Sequence, residues 1–263
     1  MNSAALIIAV PSKGRIEEEA HGVFARAGLP IAKRGGVRGY SGALQGLADA
    51  EVRFLSSSEI PAALEAGDVH LGLTGLDLIL DRTAQPNRTI ALVKPLGFGR
   101  ADVVVALPRA WIDVGSMADL AEAAALFRHR HHRHMRVATK YSRLARSFFA
   151  QHGLVDYRLV ESAGATEAAP SNGQAELIVD ITTTGATLKA NGLKIPEDGL
   201  ILRSEAQLAA SLRASWSPRA RTVLRGVLDA IVASEEPAEK RGTRRKPTDR
   251  NPLAETLLAR IGR

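Results

Sequence analysis

The sequence predicts an α/β fold of two lobes, with the second lobe inserted into the first. Three observations carry this. Short runs rich in Val, Ile and Leu alternate with helical patterns, the signature of largely parallel strands. At residues 94–100, KPLGFGR, two glycines and a proline separate one strand pattern from the next with no helix between, as a crossover between lobes requires. The extended apolar stretch at 199–202 follows a short helical pattern and reads as the return crossing. Residues 1–97 and 191–235 are thus assigned to lobe I, 98–190 to lobe II, and 236–263 to a basic, disordered tail.

In chain order, the apolar runs predict strands at 6–10, 52–55, 70–74, 90–93, 102–107, 136–138, 157–161 and 176–181. Between the first two, Ile16, Ala20, Val23, Phe24 and Ala27 recur at 3.6-residue spacing, with Glu17, Glu18 and Glu19 at the positive end and Gly28 as the stop. A second clear helix runs over about 141–152, with Leu144, Ala145, Phe148 and Phe149 inward and Gly153 ending it. Beyond residue 234 the chain is charged, Pro-bearing and poor in large apolar residues, which predicts disorder. The closing LAETLLARIGR forms a helix only if it finds a partner. No repeat at solenoid periods is present.

The chain has 263 residues, 45% of them apolar, enough to bury a substantial core. Without cysteine there are no disulfides, thiolate nucleophiles or Cys-ligated zinc, which suits a reducing compartment. No apolar run approaches the roughly 20 residues of a membrane span. Residues 4–10 lack a basic leader and read as a strand rather than a secretory signal, so a cytoplasmic protein without membrane association is expected. The net charge of +7 is concentrated in two segments. Residues 128–136, RHRHHRHMR, carry four arginines and no acid, and residues 236–263 carry eight basic against four acidic residues. The rest is nearly neutral, and neither basic segment interleaves aromatics that stack on bases, so no nucleic-acid partner is expected.

One junction carries chemistry. Residues 176–181 are a buried-strand pattern ending in an acid, and they run directly into Thr182, Thr183, Thr184, Gly185, Ala186, Thr187 and Leu188. The first turn of a helix leaves backbone N–H groups unpaired and partly positive, so a phosphate placed there collects several hydrogen bonds. Gly185 permits close backbone approach and the threonine hydroxyls add donors. Asp180, at the strand's carboxyl end, suits ribose hydroxyls or a magnesium ion held through water. Any one of these threonines alone reads better as a helix cap, since caps are far commoner than ligand loops. Together they point to a sugar phosphate without saying which.

Glu167, Gly173, Ala175, Ile178, Asp180, Thr184, Gly185, Thr187 and Leu188 stand in the order and spacing of a known signature. The stretch GATEAAPSNGQAELIVDITTTGATLKANGLK resembles the signature region of the ATP phosphoribosyltransferases of histidine biosynthesis. PSKGR near the start, LGLTGLDLI at 71–79, KPLGFGRADVVVALP at 94–108 and RVATKYSRLARSFFAQHGL at 136–154 resemble further segments of that family in the same order, covering residues 5–215. The resemblance implies a periplasmic-binding-protein-like (type II) fold and transfer of the 5-phosphoribosyl group of phosphoribosyl pyrophosphate to N1 of ATP, with Mg2+ carried by the substrates near Glu167 or Asp180.

Carried over residue by residue, Asp180 and the segment from Thr182 to Thr187 should bind the phosphoribosyl group, and Glu167 should face the ribose hydroxyls or a metal. Lys13, Gly14 and Arg15 should meet a polyphosphate, with Lys13 also in the catalytic set. Ser57, Gly75, Asp77 and Arg100 complete the expected ATP contacts, and Lys140 is a further candidate. A carboxyl-terminal regulatory domain does not fit the residues after Arg203, so the resemblance is to the short form. That form implies a homodimer within a hetero-oligomer containing a regulatory subunit similar to histidyl-tRNA synthetase. His129, His131, His132 and His134 alternate with arginines that oppose a cation, so the cluster reads as a solvated segment. The competing reading is a two-lobed small-molecule binding protein without catalysis.

Overall fold

The computed structural model describes residues 6–34, 40–47, 49–83, 85–162, 164–235 and 251–262. The chain forms two compact units. The first holds Met1–Ile79, Ala84–Gly99 and Ala206–Arg263, and the second holds Leu80–Thr83 and Arg100–Glu205.

The first unit opens with β1 (Leu6–Pro11), α1 (Arg15–Arg26), β2 (Ile31–Arg34), β3 (Ser41–Leu44), β4 (Ala50–Leu55), α2 (Ile60–Ala66), β5 (Leu71–Gly75), α3 (Leu76–Arg82), α4 (Pro86–Thr89) and β6 (Ile90–Pro95). The last residues of α3 belong to the second unit. That unit continues with β7 (Ala101–Pro108), α5 (Met117–His131), β8 (Met135–Thr139), α6 (Ser142–Gln151), β9 (Tyr157–Glu161), β10 (Leu177–Thr182), α7 (Ala186–Ala190), β11 (Leu193–Lys194) and β12 (Leu200–Ser204). The chain then completes the first unit with β13 (Ala206–Ser211), α8 (Pro218–Glu235) and α9 (Pro252–Ile261).

The first sheet has the order β2-β3-β4-β1-β5-β13-β6. β1 lies between β4 and β5 and is parallel to both, so it is covered on both faces. Its alternate residues feed two cores. Leu6, Ile8 and Val10 pack with Phe24 of α1 and Leu224 of α8, while Ala9 packs with Ile60, Leu64 and Ile79. Period-two alternation in a buried strand thus anchors helices on either side.

The second sheet has the order β11-β7-β10-β8-β9, with β12 also on β7. β8, β9 and β10 are parallel, whereas β7 runs against β10. α5 begins with a capping box in which Ser116 and Asp119 satisfy each other's backbone N–H groups. The Asp81 carboxylate accepts from the N–H groups of Arg143 and Leu144, both at 2.9 Å, and so caps α6.

Two expectations on domain boundaries differ from what is found. The second unit extends to Glu205 rather than ending near 190, because β11 and β12 both pair with β7. The tail is also not uniformly unstructured. Residues 236–250 lie outside the described residues, but residues 252–261 form α9, capped by the Asn251 side chain on Leu253 N–H at 3.0 Å. Its Ala254, Leu257 and Ile261 join the core that holds Leu228 and Ile231 of α8. Burying Leu257 and Ile261 is worth about 1.5–3 kcal/mol each, the partner that a ten-residue helix needs.

The basic run at 128–136 is mostly tied down. Arg128 pairs with Asp156 at 2.6 Å, and Arg133 and Arg136 both bind Glu176, at 3.0 and 2.8 Å. Burial raises the Glu176 pKa, but the hydrogen bonds from Arg136 and Arg133 outweigh it and hold it at about 2.

Candidate active site

In the second unit the parallel direction of β8, β9 and β10 sends their following turns to one edge of the sheet, the carboxyl edge where α/β proteins bind ligands. Lys140 leaves β8 there, Glu167 lies in a short 3-10 turn after β9, and Asp180 is near the end of β10. Because β7 is antiparallel and pairs Asp102 with Thr182, Arg100 enters at the same edge. The Arg100 guanidinium is largely exposed, with Glu205 at 3.9 Å. A pocket of about 260 Å³ is lined by Glu167, Asp180, Ile181, Thr182, Thr183, Thr184, Thr187 and Leu188. Whole-ligand pockets run to about 300–1,000 Å³, so this one is sized for part of a ligand rather than a whole one.

The loop partly caps itself. Thr182 Oγ1 accepts from Gly185 N–H at 2.9 Å, and Thr184 Oγ1 accepts from Ala186 N–H at 3.3 Å. No acceptor for the N–H groups of Thr183 and Thr184 is found among the described residues, nor a partner for the Thr183 and Thr187 hydroxyls. Gly185 has φ 72°, a left-handed conformation that L side chains resist, and it turns the chain into α7. Burial raises the pKa of Asp180, and the Glu167 carboxylate raises it further, against the Ile181 backbone N–H and the Lys140 charge, which lower it. The pocket thus joins open hydrogen-bond donors to a pair of acids, one of them poorly solvated.

The first unit assembles its predicted residues in the same way. Lys13, Gly14 and Arg15 follow β1, Ser57 follows β4, and Gly75 and Asp77 lie at the end of β5, three adjacent parallel strands. Lys13 and Arg15 are exposed and have no ion pair among the described residues. Gly14, with φ 83°, lets the chain enter α1. Ser57 is held by its carbonyl, which accepts from Thr74 Oγ1 at 2.8 Å. Asp77 is buried and folds back, so that a Cβ at Gly75 would collide with its Oδ1. Gly75 therefore serves the packing of Asp77 within this unit. Thr74 escapes sequence reasoning because it sits inside an apolar strand pattern, whereas Leu188, at the end of the loop read from the sequence, lines the pocket.

A model of the family described as ATP phosphoribosyltransferase matches residues 56–232. The chain is 57% identical over 231 residues to the ATP phosphoribosyltransferase of Bradyrhizobium diazoefficiens, a match spanning 88% of this chain and 71% of that protein.

The chain belongs to the ATP phosphoribosyltransferase family.

Its fold is similar to that of the ATP phosphoribosyl transferase (HisG:HisZ) complex from Thermotoga maritima, with a TM-score of 0.65 at 23% identity over 86% of this chain and 98% of that one. It is also similar to a substrate-binding protein of an amino acid ABC transporter, with a TM-score of 0.50 at 13% identity over 86% of this chain and 91% of that one. Those likenesses bear on fold, and they agree with the periplasmic-binding-protein-like class expected. Function follows the 57% relative, a transferase, so the reading as a binding protein without catalysis is not favoured. No described helix is long and apolar enough to cross a membrane.

Proposed function

We infer that the chain transfers the 5-phosphoribosyl group of phosphoribosyl pyrophosphate to N1 of ATP, the first step of histidine biosynthesis, with the loop at 182–187 holding the 5-phosphate. Family membership fixes the reaction, and the observation that carries the assignment of the loop is its set of open donors beside Asp180. As the N1 lone pair bonds to the ribose C1, the C1–O bond breaks and its electrons leave with pyrophosphate. Positive character at C1 and negative charge on the leaving group both need stabilisation that is already in place. Asp180 and Glu167 supply negative charge on the ribose side. Lys13 and Arg15 supply unpaired positive charge for a polyphosphate.

The described residues contain no group of three or more His, Cys, Asp or Glu able to hold a metal. Mg2+ suits what is present, because it keeps several waters and binds through one or two carboxylates plus substrate phosphates. Asp180 and Glu167 would be its protein ligands, and the ion would neutralise charge on the pyrophosphate.

We also propose that the chain works in the cytoplasm with a separate regulatory subunit, as the short form does. The similar Thermotoga maritima chain comes from a HisG:HisZ complex, and the match covers 98% of it. To test the activity, ATP, phosphoribosyl pyrophosphate, Mg2+ and pyrophosphatase are mixed with the chain, and near-ultraviolet absorbance of the adenine adduct is followed. Adduct formation is expected. No adduct with either the chain alone or the chain plus a regulatory subunit overturns the reading.

A further inference from the structure

Behind α7 the second unit carries a continuous apolar surface. Of the six large apolar side chains exposed among the described residues, three lie there: Ile112 at 83%, Leu126 at 48% and Ile195 at 39%. Ile112 lines two adjoining depressions, one of about 440 Å³ shared with Leu188 and Ile195, the other of about 480 Å³ shared with Trp111, Leu126 and Phe127. Leu126 falls off the buried Met117, Leu120, Ala124 stripe of α5, so nothing in the unit's own packing accounts for it.

The rim is basic. Arg109 and Lys189 border the first depression and Arg130 the second, while Asp113 is the one acid lining either. None of these three cations has an ion-pair partner among the described residues. The neighbouring Arg128, Arg133 and Arg136 are each held by a carboxylate. An apolar centre with aromatic side chains inside a rim of unneutralised cations is the anatomy of a protein interface.

We propose that this face docks the separate regulatory subunit, which meets it with an apolar ridge flanked by carboxylates; the proposal rests on the partner reading given above. A second copy of the chain fits worse. A two-fold contact sets the patch against itself, so that one basic rim meets another with only Asp113 to offset it. The position also has a consequence for the site. Leu188 lines both the pocket at Asp180 and the depression at Ile112, so a docked subunit bears on the five-residue helix that continues the phosphate loop.

Titration calorimetry of the full chain with the purified histidyl-tRNA-synthetase-like subunit from the same source tests this. Ile112→Asp and Leu126→Asp should each raise Kd at least tenfold, and Ile112→Leu should restore binding to near the parent. Lys189→Glu should weaken binding and flatten its salt dependence, whereas Arg26→Glu, on α1 of the first unit, should change neither. Melting curves of each variant control for folding. If the parent binds and the Asp variants bind equally well, the docking face is wrong and the partner reading stands. If the parent does not bind the subunit, the partner reading falls and this inference with it. Self-association of the chain alone that Ile112→Asp abolishes assigns the face to a second copy and overturns the proposal.

Discussion

Two hydroxyl-rich turns follow buried parallel strands in this chain, one in each unit, and they dispose of their donors differently. After β4, Ser56 N–H is held by the Glu59 carboxylate at 2.9 Å, and Ser56 Oγ lies 3.1 Å from Ser58 Oγ. The Ser56 hydroxyl and the Ser56 backbone N–H, both bonded to the Glu59 carboxylate, hold its pKa below the ordinary value, and the turn is largely spent on itself. After β10, Thr182 and Thr184 cap two N–H groups, yet other donors remain open beside Asp180, an acid that burial pushes toward protonation. A run of hydroxyls is therefore no site by itself. Unspent donors next to a poorly solvated carboxyl make one.

The largest effect expected from this contrast is at Asp180. Asp180→Ala should lower kcat by at least about 10²–10³-fold, the scale of losing one preorganised electrostatic group. Its stability should stay near that of the parent, because burial already penalises the ionised side chain in the fold. Turnover assays paired with chemical denaturation decide this. A folded variant with normal kcat would reduce the loop to a self-satisfied turn like the one at Ser56.

Next come the cations of the first unit. Lys13→Ala and Arg15→Ala should each raise the KM for ATP about tenfold, roughly 1.4 kcal/mol of uniform binding, with less change in the KM for phosphoribosyl pyrophosphate. The opposite split would move the polyphosphate role from ATP to the leaving pyrophosphate.

Much of this was legible in the sequence, and the failures have physical causes. The central strands were readable because β1, β5 and β10 are apolar on both faces. β13, AQLAAS, was not: alanine has weak β propensity, and the strand is fixed by pairing with β5 and β6 far away in sequence. β2 and β3 are short and alternate weakly. Within the site, Asp180 and the threonines were readable because strand, loop and helix are contiguous. The inward fold of Asp77 over Gly75 was not, since the same TGLD spacing serves an open turn or a buried one.

Acidification should separate the two units. In the second, the free chain keeps Asp180 protonated to a higher pH than an ordinary carboxyl, while metal and ribose hydroxyls favour the ionised form. Affinity for phosphoribosyl pyrophosphate should thus begin to fall above the usual carboxylate range, and Asp180→Asn should remove that pH dependence along with activity. In the first unit the responsive group is His70. Its Nδ1 accepts from Ile7 N–H and its Nε2–H donates to Ser215 O, both at 3.1 Å, an arrangement open only to the neutral ring. Burial lowers its pKa, so the unfolded chain takes up the proton first. Stability from His70 is complete above about pH 6.5 and declines as pH falls below it. Denaturation midpoints at about pH 7.5 and 5.5 should differ less in His70→Gln than in the parent.

The smallest effect returns to the two turns. Ser56→Ala removes a hydroxyl that serves only its own turn, so it should cost at most about 1 kcal/mol of stability, the net worth of an ordinary hydrogen bond, and leave kcat unchanged. Gly185→Ala should cost about the same, because a methyl group resists φ 72° although nothing lies within 4 Å of the added carbon. Here the loss should appear in the KM for phosphoribosyl pyrophosphate as well, since relaxing φ moves the donors of Thr183 and Thr184. Similar stability costs with unequal effects on KM would separate a turn that only satisfies itself from one that also holds a ligand; equal KM values would mean that both turns serve only the fold.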